Sequence, residues 1–272
     1  MSSVIVQHQN GRVFDLDKLG YRVQADFAPF GTNWTHTTTW IGKYKNYESN
    51  AQLGDKTINI NFVFVCRDMT EYQLKCLDLT KCLSGAFYYW IYLADVPNIR
   101  WWVTCEGQPT FTPVGNSGYG TASFTLKCPK GLGESTHHTG ELHGQPANLY
   151  DNGFFGLGNH FPNDGEAPRY QFSEGSFMVF NPGSINLTCA GLHGKIIFSS
   201  GGPVTMKNNS TKQTFTYNKS FGTLILDGYV PYADGHLDYK NSNHSGIDLI
   251  RGWNDISVSG CSSVEFDETF YY

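Results

Sequence analysis

Apolar and polar residues alternate along much of this chain. From position 56 it reads KTININFVFV, with Ile58, Ile60, Phe62 and Phe64 at every second place. A period of two is that of a strand with one buried face. GTASFTLKCP repeats it at Ala122, Phe124, Leu126 and Cys128. GAFYYWIYLA and NIRWWVTCEG read as an aromatic strand pair between those two. One segment keeps helical spacing instead. In DMTEYQLKCLDLTKCLSG, Tyr72, Cys76, Leu79 and Leu83 share a face, Asp68 and Glu71 fit a capping box, and Gly85 ends the pattern.

Before KTININFVFV stands THTTTWIGKY, residues 35–44, separated from it by the polar KNYESNAQLGD, residues 45–55. The two apolar runs predict a long hairpin with the polar stretch as its projecting tip. Such an arm is poorly stable alone, and its open edges invite pairing. A ring of identical subunits, each laying its arm on a neighbour, satisfies both needs. Thr38, Trp40, Tyr44, Tyr47, Ile58 and Ile60 are the candidate subunit-contact residues.

The second half reads differently. Short strand patterns such as GSFMVFNPG, SINLTCAG, GKIIFSSGG, PVTMKN, GTLILDG, SGIDLIRG and DISVSG are broken by Gly, Asn-Pro or Asp-Gly. Dense turn signals of this kind predict an antiparallel β-sandwich or jelly roll. The aperiodic Gly-, His- and Asn-rich stretch over residues 130–168 marks a boundary. The expected division is residues 1–130, with the arm and the helix, and residues 131–272, a linker followed by the sandwich. The fold class is mainly β with one helix.

Composition narrows the function. Lys and Arg number 12 against 10 Asp and Glu through Lys130 (12 − 10 = +2), and 7 against 14 beyond it (7 − 14 = −7). Neither half has a basic cluster, which argues against a nucleic-acid partner. The opening MSSVIVQHQNGRVFD has no apolar core of a secretory signal, and no run is long enough to insert in a membrane. The 7 cysteines sit within apolar patterns and read as buried thiols of a reducing compartment.

Candidate chemistry is thin. His137, His138 and His143 lie close in sequence and could suggest Zn²⁺, but adjacent strand residues point apart and no nearby carboxylate is seen to orient them. Asp227, Asp234, Asp238 and Asp248 are the acids a glycosidase would draw on, yet nothing pairs them. No nucleophile elbow, P-loop or dinucleotide fingerprint occurs. No catalysis, metal or cofactor is expected. In DLIRGWNDISVSG, Gly252 and Asn254 suit a tight turn, which leaves Trp253 to cover the sandwich edge or to meet a ligand or partner.

The order of parts resembles the distal tail protein family of siphophages. The arm and the strand-helix NFVFVCRDMTEYQLKCLDLTKCLSG come first, then TASFTLKCP. FMVFNPGS over residues 177–184, Leu226-Asp227-Gly228 and Gly252-Trp253-Asn254-Asp255-Ile256 follow. The resemblance implies a structural virion protein that forms a ring, typically a hexamer, at the tip of a long non-contractile tail. Its partners would be itself, the tail tube protein, the tail-associated tip protein and receptor-binding or baseplate proteins. Assembly in the cytoplasm of a host bacterium is implied. The C-terminal sandwich would be galectin-like. The His-x-Asn-x-Arg strand of galectins themselves is missing, so galactoside binding is not implied, although a sandwich that binds a host cell-wall saccharide is the alternative reading.

Overall fold

The computed structural model describes residues 3–24, 29–41, 45–115, 118–147, 154–156, 159–162, 167–192 and 194–272, with backbone only for 39–41 and 45–50. The chain divides into two compact units, Met1–Gly133 with Tyr272, and Glu134–Tyr271. It is mainly β, with one α-helix among the described residues.

In the first unit β1 (Val4–His8), β2 (Val13–Asp15) and β3 (Tyr21–Val23) precede the arm strands β4 (Trp34–Ile41) and β5 (Lys45–Leu53). Next come β6 (Lys56–Val65), α1 (Met69–Leu83), β7 (Tyr89–Leu93), β8 (Val96–Pro113) and β9 (Tyr119–Cys128). The main sheet runs β2-β1-β7-β8-β9-β6-β3. Its inner face carries the expected alternation. Ile58, Ile60, Phe62 and Phe64 are all buried, opposite Leu126, Phe124, Ala122 and Gly120 of β9. The helix covers this face with Tyr72, Leu79, Cys82 and Leu83. Asp68 caps it by accepting from Glu71 N at 2.8 Å, while the Glu71 carboxylate reaches back to Arg67 N at 2.7 Å, one residue earlier than a strict capping box.

The hairpin differs from expectation. β4 pairs with β5, from Trp34 opposite Leu53 to Ile41 opposite Lys45, in a two-stranded sheet of its own. The polar stretch read as a tip is thus the second strand of the arm. Lys56–Val65 instead pairs with β3 and β9 inside the main sheet. The physical reason is burial: its apolar face belongs to the core, and a polar strand can still complete a backbone ladder.

The second unit contains β10 (Glu134–Ser135), a 3-10 turn at Thr139–Leu142, β11 (Gln171–Asn181), β12 (Lys195–Asn208) and β13 (Gln213–Tyr217). β14 (Phe221–Asp227), β15 (Val230–Ala233), β16 (His236–Leu237) and β17 (Gly252–Asp267) complete it. The strands run β11-β17-β12-β14-β15-β16, with β13 also on β12. Two of them are long and bent. β12 pairs with β14 through its first half and with β13 through its second, and β17 follows it with a register shift between Gly201 and Thr205. The segments GKIIFSSGG and PVTMKN are therefore one strand, as are DISVSG and SSVEFD. Their glycines are bends within strands, where bulges fold one ladder into two layers. The halves face each other across the core, with the Phe198 and Phe215 rings stacked at 5.9 Å. SINLTCAG and SGIDLIRG form a single bridge, Leu187 with Leu249, rather than a ladder, and side chains add to it, Asp248 accepting from Cys189 N and Asn186 from Arg251 N.

Gly260 sits at the bend with φ +88°, and a Cβ there would lie 2.1 Å from Pro203 O. Gly260→Ala is expected to lower stability by about 2–4 kcal/mol, from left-handed strain and steric clash together, read as a lower midpoint in chemical unfolding.

Candidate assembly surfaces

The arm is tethered at its root. Gly54 N donates to Asn33 O at 2.7 Å, and Asn33 Nδ2 donates to Asp55 O at 2.9 Å. Lys56 Nζ donates to Pro29 O and, at 2.7 Å, to Gly31 O, so one half-buried ammonium ties the incoming and outgoing chains. Burial lowers that ammonium's pKa. Beyond the root the described side chains are outward: Trp34 is 43% exposed, and Thr35, His36, Thr37 and Thr38 are exposed.

Of the candidate contact residues, Thr38 lies on the arm, opposite Glu48. Trp40 and Tyr47 occupy arm strands, but their side chains fall outside the described residues, as does Tyr44 altogether. Ile58 and Ile60 are 4% and 0% exposed in β6. They are core residues and offer no arm surface, a direct result of the hairpin pairing one strand earlier than expected.

A second surface went unread as a cluster. On the outer face of the main sheet Trp90 pairs with Trp102, their rings 4.6 Å apart, and Tyr88 stacks on Trp102 at 5.8 Å. The Arg100 guanidinium lies 4.1 Å from the Trp90 ring centre. The signal was available: Trp101 and Trp102 are adjacent in a strand, so only one of them can face the core. Trp101 is 1% exposed. Trp, Tyr and Arg together are the composition of interface centres.

In the second unit Trp253 and Asn254 separate in role. Gly252 has φ +85° and opens β17. Asn254 is fully buried. Its Oδ1 accepts from Ile250 N at 2.9 Å and Asn208 Nδ2 at 3.2 Å, and its Nδ2 donates to Ile250 O at 2.8 Å and Gly252 O at 3.1 Å. Two further asparagines serve the same end. Asn181 Nδ2 donates to Leu249 O at 3.2 Å, and Asn208 Nδ2 donates to Asp248 O at 2.7 Å. The neighbouring Trp253 points outward, 42% exposed, with its ring 4.8 Å from Phe180 on β11.

The candidate acids are structural acceptors. Asp234 Oδ1 accepts from Gly222 N and Thr223 N at 2.9 and 2.8 Å, and Asp248 from Cys189 N and Gln213 Nε2, both at 2.8 Å. Hydrogen bonds from Asn241 and Tyr217 hold the Asp238 carboxyl below its usual range. Asp227 closes the β14–β15 turn opposite Val230. Contrary to expectation, carboxylates do orient two of the three histidines, His137 and His138. Glu141 meets His137 Nδ1 at 2.6 Å and His138 Nε2 at 3.1 Å, and Asp267 meets His138 Nδ1. Burial tends to raise the Glu141 carboxyl, but His137, His138 N and their charge bring it below the ordinary value. Among the described residues no group of three such side chains is placed to hold a metal ion, and no helix is long and apolar enough to cross a membrane.

Comparison with known proteins bears on the domain and the fold. Residues 9–128 match the family model of the phage tail protein RIFT-related domain, which spans most of the first unit. The SPP1 Dit protein, described as a paradigm of the hub adsorption apparatus in phages infecting Gram-positive bacteria, is similar in fold. It aligns over 98% of this chain and 99% of its own, with a TM-score of 0.62 at 13% identity. A chain of the phage P2 baseplate in its activated conformation aligns over 99% of this chain and 98% of its own, at 9% identity and a TM-score of 0.43. No curated protein sequence matches the chain significantly. The resemblance to siphophage distal tail proteins read from the sequence is thereby borne out in family domain and in fold.

Asn254→Leu is expected to destabilise the chain by about 3–5 kcal/mol, because buried donors and acceptors around Ile250 lose their partner. Trp253→Ala is expected to cost only about 1–2 kcal/mol for a half-buried ring. Equilibrium unfolding of both variants checks the contrast.

Proposed function

We propose that this chain, which carries a phage tail RIFT-related domain, is a ring-forming distal tail adaptor of a long-tailed, non-contractile phage. The first unit builds the ring and meets the tail tube. The second holds baseplate or receptor-binding proteins, and a tail-associated tip protein docks on the other side. The protein is a structural part of the virion, assembled in the bacterial cytoplasm, and no catalytic role is proposed. The observation that carries the reading is the tethered, outward arm of β4 and β5 on a unit matched to a phage tail domain. The ribbon is a two-stranded sheet of its own among the described residues, and such a sheet can be extended by a strand of a neighbouring copy.

The arm residues Thr38, Trp40, Tyr44 and Tyr47 are assigned to the subunit contact, Ile58 and Ile60 to the core beneath it. A saccharide-binding second unit has one observation behind it, the exposed Trp253 ring. However, its ring neighbour Phe180 is apolar and the nearby Asn254 amide is consumed internally, so neither of these two supplies the polar half of a sugar site.

Light scattering on the intact chain at micromolar concentration is expected to give a closed oligomer of about six subunits. Replacing residues 35–52 by a short Gly-Ser turn is expected to give a folded monomer. A monomeric intact chain refutes the proposal, and an arm-deleted chain that still forms the ring removes the arm from it.

A further inference from the structure

Beside α1 the first unit has a cavity of about 520 Å³. Its floor is apolar, built by Phe14, Leu19 and Phe87, and Leu19 is 49% exposed. Its rim is cationic, with Arg12, Lys75 and Lys81 around one carboxylate, Asp78. A second cavity of about 490 Å³ shares Lys75 and adds Arg22, Val65 and Tyr119. The two share Lys75, and both are lined by β3, through Tyr21 in the first and Arg22 and Val23 in the second; together they are termed the groove.

Charge and edge both bear on what the groove takes. Four cationic side chains line it (Arg12, Lys75 and Lys81, plus Arg22) against the single Asp78, in a chain whose net charge is −5. Lys81 is 3.4 Å from Asp78, and Lys75 is 4.0 Å from Glu71. Arg12 and Arg22 are exposed and pair with no carboxylate among the described residues. β3 ends the sheet with β6 as its one ladder partner among the described residues; Tyr21 N also donates to Leu16 O at 2.8 Å, so the edge left for a further strand is the part at Val23. The apolar floor calls for an anchor side chain, the rim for carboxylates, and the open edge for an extended backbone. A free inorganic anion would leave the floor wet, and a basic segment would be repelled.

We infer that this groove docks an extended acidic segment of a partner protein, carrying aromatic or aliphatic anchors, by strand addition along β3. The inference goes beyond ring formation and does not depend on it, because the groove lies within one subunit. The probe is an acetylated, amidated octapeptide alternating Glu with Phe or Val, titrated calorimetrically into the full chain at low salt. Its counterpart with Lys for Glu is the control.

The acidic peptide binds and the basic one does not. The double variant R12E/R22E weakens binding about tenfold or more, and K207E/K219E, the same charge change on the second unit, leaves it unaltered. Circular dichroism checks that the variants remain folded. Leu19→Asp, a charge set over the floor, gives a second and independent loss. Absence of acidic-peptide binding at millimolar concentration overturns the proposal. So do equal binding of the basic peptide, unchanged binding to R12E/R22E or to Leu19→Asp, and an equal loss in K207E/K219E.

Discussion

The second unit depends on satisfying buried backbone where its longest strand begins. A strand that starts inside a protein leaves turn amides and carbonyls without ladder partners, and each costs free energy if left dry. Asn254 supplies an acceptor to Ile250 N and donors to Ile250 O and Gly252 O from a fully buried amide. Asn181 and Asn208 close the same turn from β11 and β12, by donating to Leu249 O and Asp248 O. Asn181 also stands opposite Gly252 in the ladder. The Phe-x-Val-x-Asn strand and the Gly-Trp-Asn start of β17, far apart in the sequence, are therefore two halves of one hydrogen-bonded clasp. With the turn fixed, β17 can run its full length and bend at Gly260 to serve both layers.

That clasp also explains what was legible and what was not. The special backbone of Gly252 could be read from its residue type, but the tight turn expected over Gly252 to Asn254 is instead the start of β17, with all three residues paired to β11. The inner face of β6 and the cap of α1 were equally plain, since period and capping are local. The bends at Gly201 and Gly260 read as strand ends, because a glycine that breaks a strand and one that bends it look alike in sequence. The arm's second strand was hidden for another reason. KNYESNAQL has no alternation to betray it, because a ribbon outside the core has no face that must be apolar. The Asp267 partner of His138 was out of reach, since it comes from a strand 129 residues away.

The polar arm constrains how copies of this chain could hold together. The run Thr35 to Thr38 in the arm contributes backbone pairing and little apolar area, and hydrogen bonds exchanged with water give modest net stability. Its root, held by Asn33 and Lys56, reduces the entropy lost on docking but adds no affinity by itself. Cohesion of a lasting ring needs burial of an aromatic or aliphatic surface. The outer face of β7 and β8 has one, in Trp90, Trp102 and Tyr88 with Arg100 over the indole. In the proposed ring the first unit would separate two tasks that one interface usually combines. The arm would provide direction and register, because a ladder accepts only one alignment, and the indole cluster would provide the area from which binding free energy comes.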